Sequence, residues 1–310
     1  MESVGKIKKA IITFLILNFG LSSIFYFLIG NAGDVNVAGG LYIIFLMYCP
    51  AAAAIVTSLI FYKSIKDFGW KPGKVKYLAM AYALPIICAI VAYGLFWITT
   101  GTFTGKLPPQ NMIYFILMGT FASIIGGVLG EEIGWRGFLV PQMSKITSFS
   151  KVAILTGIIW AIWHFPLMIF ANYNAGIPLW YSLPMFTVAV IGLSTILAWF
   201  RLRSGSIWPP ILLHASSNLF VQNLFDPLTM ETGIARYFVG ETGILFAGCM
   251  AKSINSTNLG NTVDGNLNAY PTTIQKVIDK FSNAKIVIPG HGNFGGIELL
   301  NHTYRISQMQ

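Results

Sequence analysis

Charged residues are scarce: they make up 10% of this 310-residue chain, against roughly a quarter in an ordinary soluble domain. A surface so poor in charge cannot cover a water-soluble globule of this size. Cysteine is also scarce, and the three present are too scattered for a disulfide framework. Histidine occurs only four times, as His164, His214, His291 and His302, and no His-x-His pair exists. There are no internal repeats and no low-complexity tract. Acidic residues number only 11, which leaves a net charge of +9. That excess needs no nucleic-acid partner, because basic loops at an anionic lipid leaflet account for most of it.

What remains is apolar. Hydrophobic residues reach 55% and the mean hydropathy is +0.66. Runs of about 20 apolar residues, the length that crosses a bilayer, lie near 10–29, 40–62, 76–99, 112–130, 152–171, 182–200 and 207–225. The first is expected to be a retained anchor, since it lacks a small-residue cleavage site. Basic residues alternate between loops. Lys6, Lys8 and Lys9 precede the first run; Lys63, Lys66, Lys71, Lys74 and Lys76 follow the second. Arg136, Lys145 and Lys151 follow the fourth, and Arg201 and Arg203 the sixth. By the positive-inside rule the N-terminus is cytoplasmic. The expectation is an all-α polytopic integral membrane protein, about seven spans plus a truncated eighth at 237–250, in a bacterial plasma membrane.

From residue 249 the composition changes, and Asn, Thr, Ser and Gly become frequent. The spacing of Ile274, Val277, Ile278 and Phe281 predicts an amphipathic helix over 269–283. A short strand is expected at 285–289 and a last helix at 296–308. This gives two domains, 1–248 in the membrane and 249–310 as a short soluble α/β fragment.

The strongest chemical signal is Glu131-Glu132-Ile133-Gly134-Trp135-Arg136, at the end of an apolar run. Ionisable groups at membrane depth are costly and usually functional. Residues four apart share a helix face, so Glu132 and Arg136 are placed to pair while Glu131 points elsewhere. One carboxylate is then held ionised, and the other is available to a cavity. His164 lies inside the fifth run and His214 inside the seventh, with Asn218 four residues on. Pro209-Pro210 favours irregular backbone lining a polar cavity. Glu131, His164 and His214 also match a zinc site with an open position for water. Each piece has a plain alternative: a packing histidine, an anchoring Glu–Arg pair, an asparagine joining helices. Their coincidence in one chain favours a shared site.

In this order, Glu-Glu-x-x-x-Arg at 131–136, aromatic-x-x-x-His at 160–164 and His-x-x-x-Asn at 214–218 resemble the CPBP family of intramembrane proteases. That family includes the Rce-type CAAX prenyl endopeptidases and bacterial Abi proteins linked to bacteriocin self-immunity. The usual phenylalanine of the second motif is Trp160 here. The resemblance implies an all-α bundle around a polar cavity and a peptide substrate at the membrane, prenylated or bacteriocin-related. It implies that Glu131 and His164 activate a water, that His214 and Asn218 stabilise the oxyanion, and that Glu132 and Arg136 support them. A non-catalytic immunity or interaction protein of the same fold is the alternative.

The tail resembles a second family. Gly248-Cys249-Met250-Ala251-Lys252, Asn258-Leu259-Gly260-Asn261 and Pro289-Gly290-His291-Gly292 are similar to the C-terminal part of subclass B1 metallo-β-lactamases. The resemblance implies that Cys249 and His291 descend from ligands of the second zinc. It implies that Lys252 descends from a substrate-carboxylate binder, and that Asn261 lay near the β-lactam carbonyl. The family's His-x-His-x-Asp-His is missing, so these positions are expected to be vestigial and β-lactamase activity absent. The chain therefore reads as a membrane protease joined near residue 248 to a lactamase fragment.

Overall fold

The computed structural model describes residues 2–106, 111–171, 173, 177–230, 245–248, 252, 255–257, 259, 269–280, 287–289 and 296–308. Contacts divide the chain into two compact units. One comprises Met1–Leu95 with Gly105–Leu228, the other Phe96–Thr104 with Thr229–Gln310.

The first unit is a helical bundle. Its helices are α1 (Val4–Ala32), α2 (Leu41–Tyr62), most of α3 (Val75–Thr100), α4 (Met112–Ser144), α5 (Phe149–Phe170), α6 (Leu179–Ser204) and α7 (Trp208–Ser217). Ser3 caps α1 by accepting from the Lys6 N–H, and Gly33 ends it in the left-handed conformation that glycine favours. Among the described residues, six helices are long and apolar enough to cross a membrane, α1 through α6. Their outer faces carry large exposed apolar side chains such as Ile16, Phe27, Ile98, Ile113 and Trp180. Such an apolar surface suits lipid and not water.

Six such helices stand among the described residues, where about seven spans were expected. The run at 207–225 becomes the ten-residue α7 followed by the π-helical Asn218–Phe225. His214, Ser216, Ser217, Asn218, Gln222 and Asn223 also dilute its apolar character. The eighth span expected at 237–250 falls mostly outside the described residues. Its described part, Leu245–Gly248, is an extended strand and not a helix.

Helix α4 is not uniform. π-helical segments at Ile124–Val128 and Ile133–Leu139 flank the single α-turn Leu129–Glu132. Such bulges often mark functional sites, because they re-aim side chains along a helix. Helix α2 approaches this stretch very closely. A Cβ on Gly130 would lie 2.5 Å from the Met47 carbonyl oxygen, and one on Gly134 2.4 Å from Pro50 Cβ. Small residues at such a seam let membrane helices meet backbone to backbone. Around it, Phe14 meets Trp135 edge-on with centroids 5.8 Å apart and lies 5.1 Å from Phe138.

The basic loops gather at one end of this bundle. Lys145 pairs with Glu2 at 2.9 Å. The buried Arg201 donates to the Arg136 and Asp67 carbonyls at 2.8 Å each.

The second unit includes strand β1 (Leu245–Gly248), helix α8 (Tyr270–Lys280), strand β2 (Val287–Pro289) and helix α9 (Glu298–Ser307). β1 and β2 pair in parallel, Leu245 opposite Val287 and Phe246 opposite Ile288, with an irregularity between Phe246 and Gly248. Val287, Leu299 and Leu300 form a small core against Val277, Ile278 and Ile297.

Candidate active site

Three helices of the bundle bring the polar residues of the apolar runs to one place. The α-turn of α4 supplies Glu131 and Glu132, and its second π segment supplies Arg136. Helix α5 supplies Trp160 and His164, α7 supplies His214, and the π-helical extension supplies Asn218. Glu131, Glu132 and Arg136 are 1%, 0% and 1% exposed, so none meets bulk solvent.

The two adjacent carboxylates have separate partners. Arg136 Nη1 donates to Glu132 Oε1 at 2.9 Å, as the four-residue spacing predicts. The same oxygen lies 3.0 Å from His214 Nδ1, a contact the spacing could not foretell. Glu131 faces the other way, and its Oε2 accepts from Trp160 Nε1 at 2.6 Å. The Trp160 ring also covers the Arg136 guanidinium, 4.2 Å from carbon to ring centroid.

The partners of the two histidines fix their orientation. His164 Nδ1 lies 2.9 Å from the Trp160 carbonyl oxygen. A carbonyl only accepts, so Nδ1 carries the proton and Nε2 is the nitrogen left for chemistry. His214 Nδ1 likewise donates to the Glu132 carboxylate. The His164 ring is boxed by Trp163 edge-on at 4.9 Å and by Tyr173 stacked at 6.0 Å.

A cavity of about 210 Å³ opens between these helices, with Glu131, His164, His214 and Asn218 all in its wall. The four residues expected to carry catalysis therefore share one space, while Glu132 and Arg136 lie behind it. Tyr173 and Gln222 also line the cavity and were not foreseen. Gln222 lies four residues beyond Asn218, and that spacing was its one sequence signal.

The zinc reading finds no ready-made ligand set in this arrangement. Among the described residues, no group of three or more His, Cys, Asp or Glu side chains is placed to hold one metal ion. Glu131 Oε2 is taken by the Trp160 indole, while the Nδ1 bonds of the two histidines leave each Nε2 open and so do not by themselves argue against a metal. In the tail, the Lys252 backbone N–H donates to Thr303 Oγ1 at 2.8 Å. The other lactamase-like positions, Cys249, Asn261 and His291, lie outside the described residues.

Residues 108–220 match the family of type II CAAX prenyl endopeptidases, Rce1-like. CAAX prenyl protease 2 of Methanococcus maripaludis is 35% identical over 123 residues, 37% of this chain and 42% of that protein. Another part of the chain is 49% identical over 63 residues to the type 2 metallo-beta-lactamase of Bacteroides fragilis, 20% of this chain and 25% of that one. A solved metallo-beta-lactamase from Pontibacter korlensis is 43% identical over 22% of this chain and 31% of its own, with a TM-score of 0.21. The chain thus spans less than half the length of each of these relatives.

Proposed function

We propose that the membrane unit is an intramembrane endopeptidase that hydrolyses a peptide bond of a prenylated or otherwise membrane-associated substrate. The observation that carries this reading is the shared cavity wall of Glu131, His164, His214 and Asn218. The match of residues 108–220 to a family of prenyl endopeptidases supports the same reading.

Glu131 and His164 Nε2 hold the attacking water, and Glu131 takes its proton as the oxygen attacks the scissile carbonyl. His214, held by Glu132 through Nδ1, presents its Nε2 edge to the developing oxyanion. The Asn218 amide donates beside it. Such donors act strongly because they are already in place when the charge develops. Glu131 then returns the proton to the departing amine. Glu132 and Arg136 do no proton transfer. Arg136 holds Glu132, and Glu132 holds His214. No step here requires a metal.

The protein is integral to the membrane, with lipid around α1 through α6. The collection of Lys and Arg at one end of the bundle supports a cytoplasmic N-terminus. The lactamase-like tail is proposed to be a remnant, since its match spans a quarter of the relative and no His-x-His exists to complete a zinc site.

The test is cleavage by the purified protein in detergent. Synthetic peptides ending in a prenylated CAAX-type sequence are offered, and products are read by mass spectrometry. Wild type should release the residues beyond the prenylated cysteine, and His164→Ala should not. Equal product from both proteins, or biological immunity that survives both Glu131→Gln and His164→Ala, would point instead to a non-catalytic member of the same fold.

A further inference from the structure

Trp160 touches four residues of the site without lining its cavity. Its indole N–H donates to Glu131 Oε2 at 2.6 Å. Its ring face covers the Arg136 guanidinium at 4.2 Å. Its carbonyl oxygen takes the His164 Nδ1 proton at 2.9 Å. Its ring meets the His214 imidazole edge-on, with centroids 5.3 Å apart. The side chain is itself buried, so none of these contacts is shared with bulk water.

Two of these contacts need only an aromatic ring, and the third only a backbone carbonyl. The N–H is different. Phenylalanine supplies the ring and the carbonyl but no donor. In this chain the carboxylate of Glu131 would then be free to turn toward Arg136, which already holds Glu132. A base that swings toward a guanidinium is lost to the water it should activate. A charge-assisted hydrogen bond of 2.6 Å prevents that, at one defined oxygen and in one defined direction.

We infer that Trp160 is the positioning residue of this site: its indole N–H holds Glu131 toward the cavity, while its ring packs over Arg136. This rests on the protease reading for its effect on rate, though not for the bond itself. The two carboxylates sit side by side in sequence, and Trp160 is what keeps their duties apart.

The experiment compares Trp160→Phe with wild type and with Trp208→Phe, in the full chain in detergent. Trp208 Nε1 donates to the Trp70 carbonyl at 2.7 Å and not to a carboxylate, so it controls for loss of an indole hydrogen bond as such. On the prenylated peptide, Trp160→Phe should lower kcat by about tenfold or more with KM within about twofold, the pattern of an interaction needed only in the transition state. Trp208→Phe should leave both near wild type. If Trp160→Phe disturbs folding, 3-benzothienylalanine at position 160 keeps the bicyclic shape and removes only the donor, and the same fall in kcat is expected. A second readout needs no turnover. In protein labelled with ¹⁵N at its eight tryptophan indoles, the resonance missing from Trp160→Phe should move in Glu131→Gln, and the one missing from Trp208→Phe should not. A wild type that cleaves no peptide, with the indole shift present, would sink the protease reading alone. An active wild type with kcat unchanged in Trp160→Phe, or an indole resonance unmoved by Glu131→Gln, would overturn the inference about Trp160.

Discussion

His214 Nδ1 and Arg136 Nη1 converge on one oxygen, Glu132 Oε1, at 3.0 and 2.9 Å. Glu132 therefore joins α4 to α7 and orients an imidazole that lines the cavity. Removing its charge leaves a buried guanidinium unpaired, a change that typically costs about 3–5 kcal/mol. Glu132→Gln should lower the melting temperature in detergent. Arg136→Met should lower it less, and the double variant should fall short of the sum of the two, as expected for residues in one network.

His214→Ala removes a proposed oxyanion donor. Such a loss costs about 10²–10³ in kcat, and KM should change little, because the oxyanion exists only after attack. Steady-state kinetics on the prenylated peptide measure this. A rise in KM with kcat intact would assign His214 to substrate binding instead.

The close seam between α2 and α4 gives a prediction independent of catalysis. A Cβ at position 130 would meet the Met47 carbonyl oxygen at 2.5 Å and Tyr48 Cα at 2.8 Å. Backbone cannot yield as a side-chain tip can, so Gly130→Ala should destabilise by about 1–3 kcal/mol through overpacking. Gly94→Ala, where nothing lies within 4 Å, is the control. Thermal melts of the two variants should differ.

Asp226 lies just past the π-helical extension of α7. Burial pushes its carboxyl above the ordinary aspartate range, while a hydrogen bond from the Tyr93 hydroxyl partly opposes the shift. A carboxyl with a raised folded-state pKa binds its proton more tightly in the fold than in the unfolded chain. Its stabilising contribution is complete below the unfolded pKa and is lost as pH rises through the folded one. Asp226→Asn keeps an oxygen for Tyr93 and carries no charge. It should equal or exceed wild type in stability at neutral pH, and the difference should vanish as pH falls below the carboxylate range. Chemical denaturation at several pH values tests this.

The residues show how far sequence alone could reach. The Glu132–Arg136 pair follows from a four-residue spacing, which a helix turns into proximity whatever surrounds it. The helical runs follow from apolar length. In the tail, the period of Ile274, Val277 and Ile278 announces α8, Tyr270–Lys280; residues 281–283 of the expected 269–283 lie outside the described residues. The contact between His214 and Glu132 was hidden, because it depends on the register of α7 against α4. That register is shaped by π segments and by glycines that admit α2, and neither has a hydrophobic period to read. The change of the run at 207–225 from α-helix to π-helix at Asn218 was hidden for a related reason: apolar length does not distinguish the two kinds of turn. Trp160 was visible only as an aromatic residue in a motif. That its N–H meets Glu131 is a fact of three dimensions.

The central claim is that Glu131 activates the water that cleaves the peptide. The most direct measurement is the single-turnover cleavage rate of a prenylated CAAX-type peptide by wild type and by Glu131→Gln, which preserves size and removes the base. A general base contributes about 10²–10⁴-fold, so the rate should fall by at least about a hundredfold while the melting temperature and peptide affinity hold. A Glu131→Gln protein that cleaves at the wild-type rate would contradict the account.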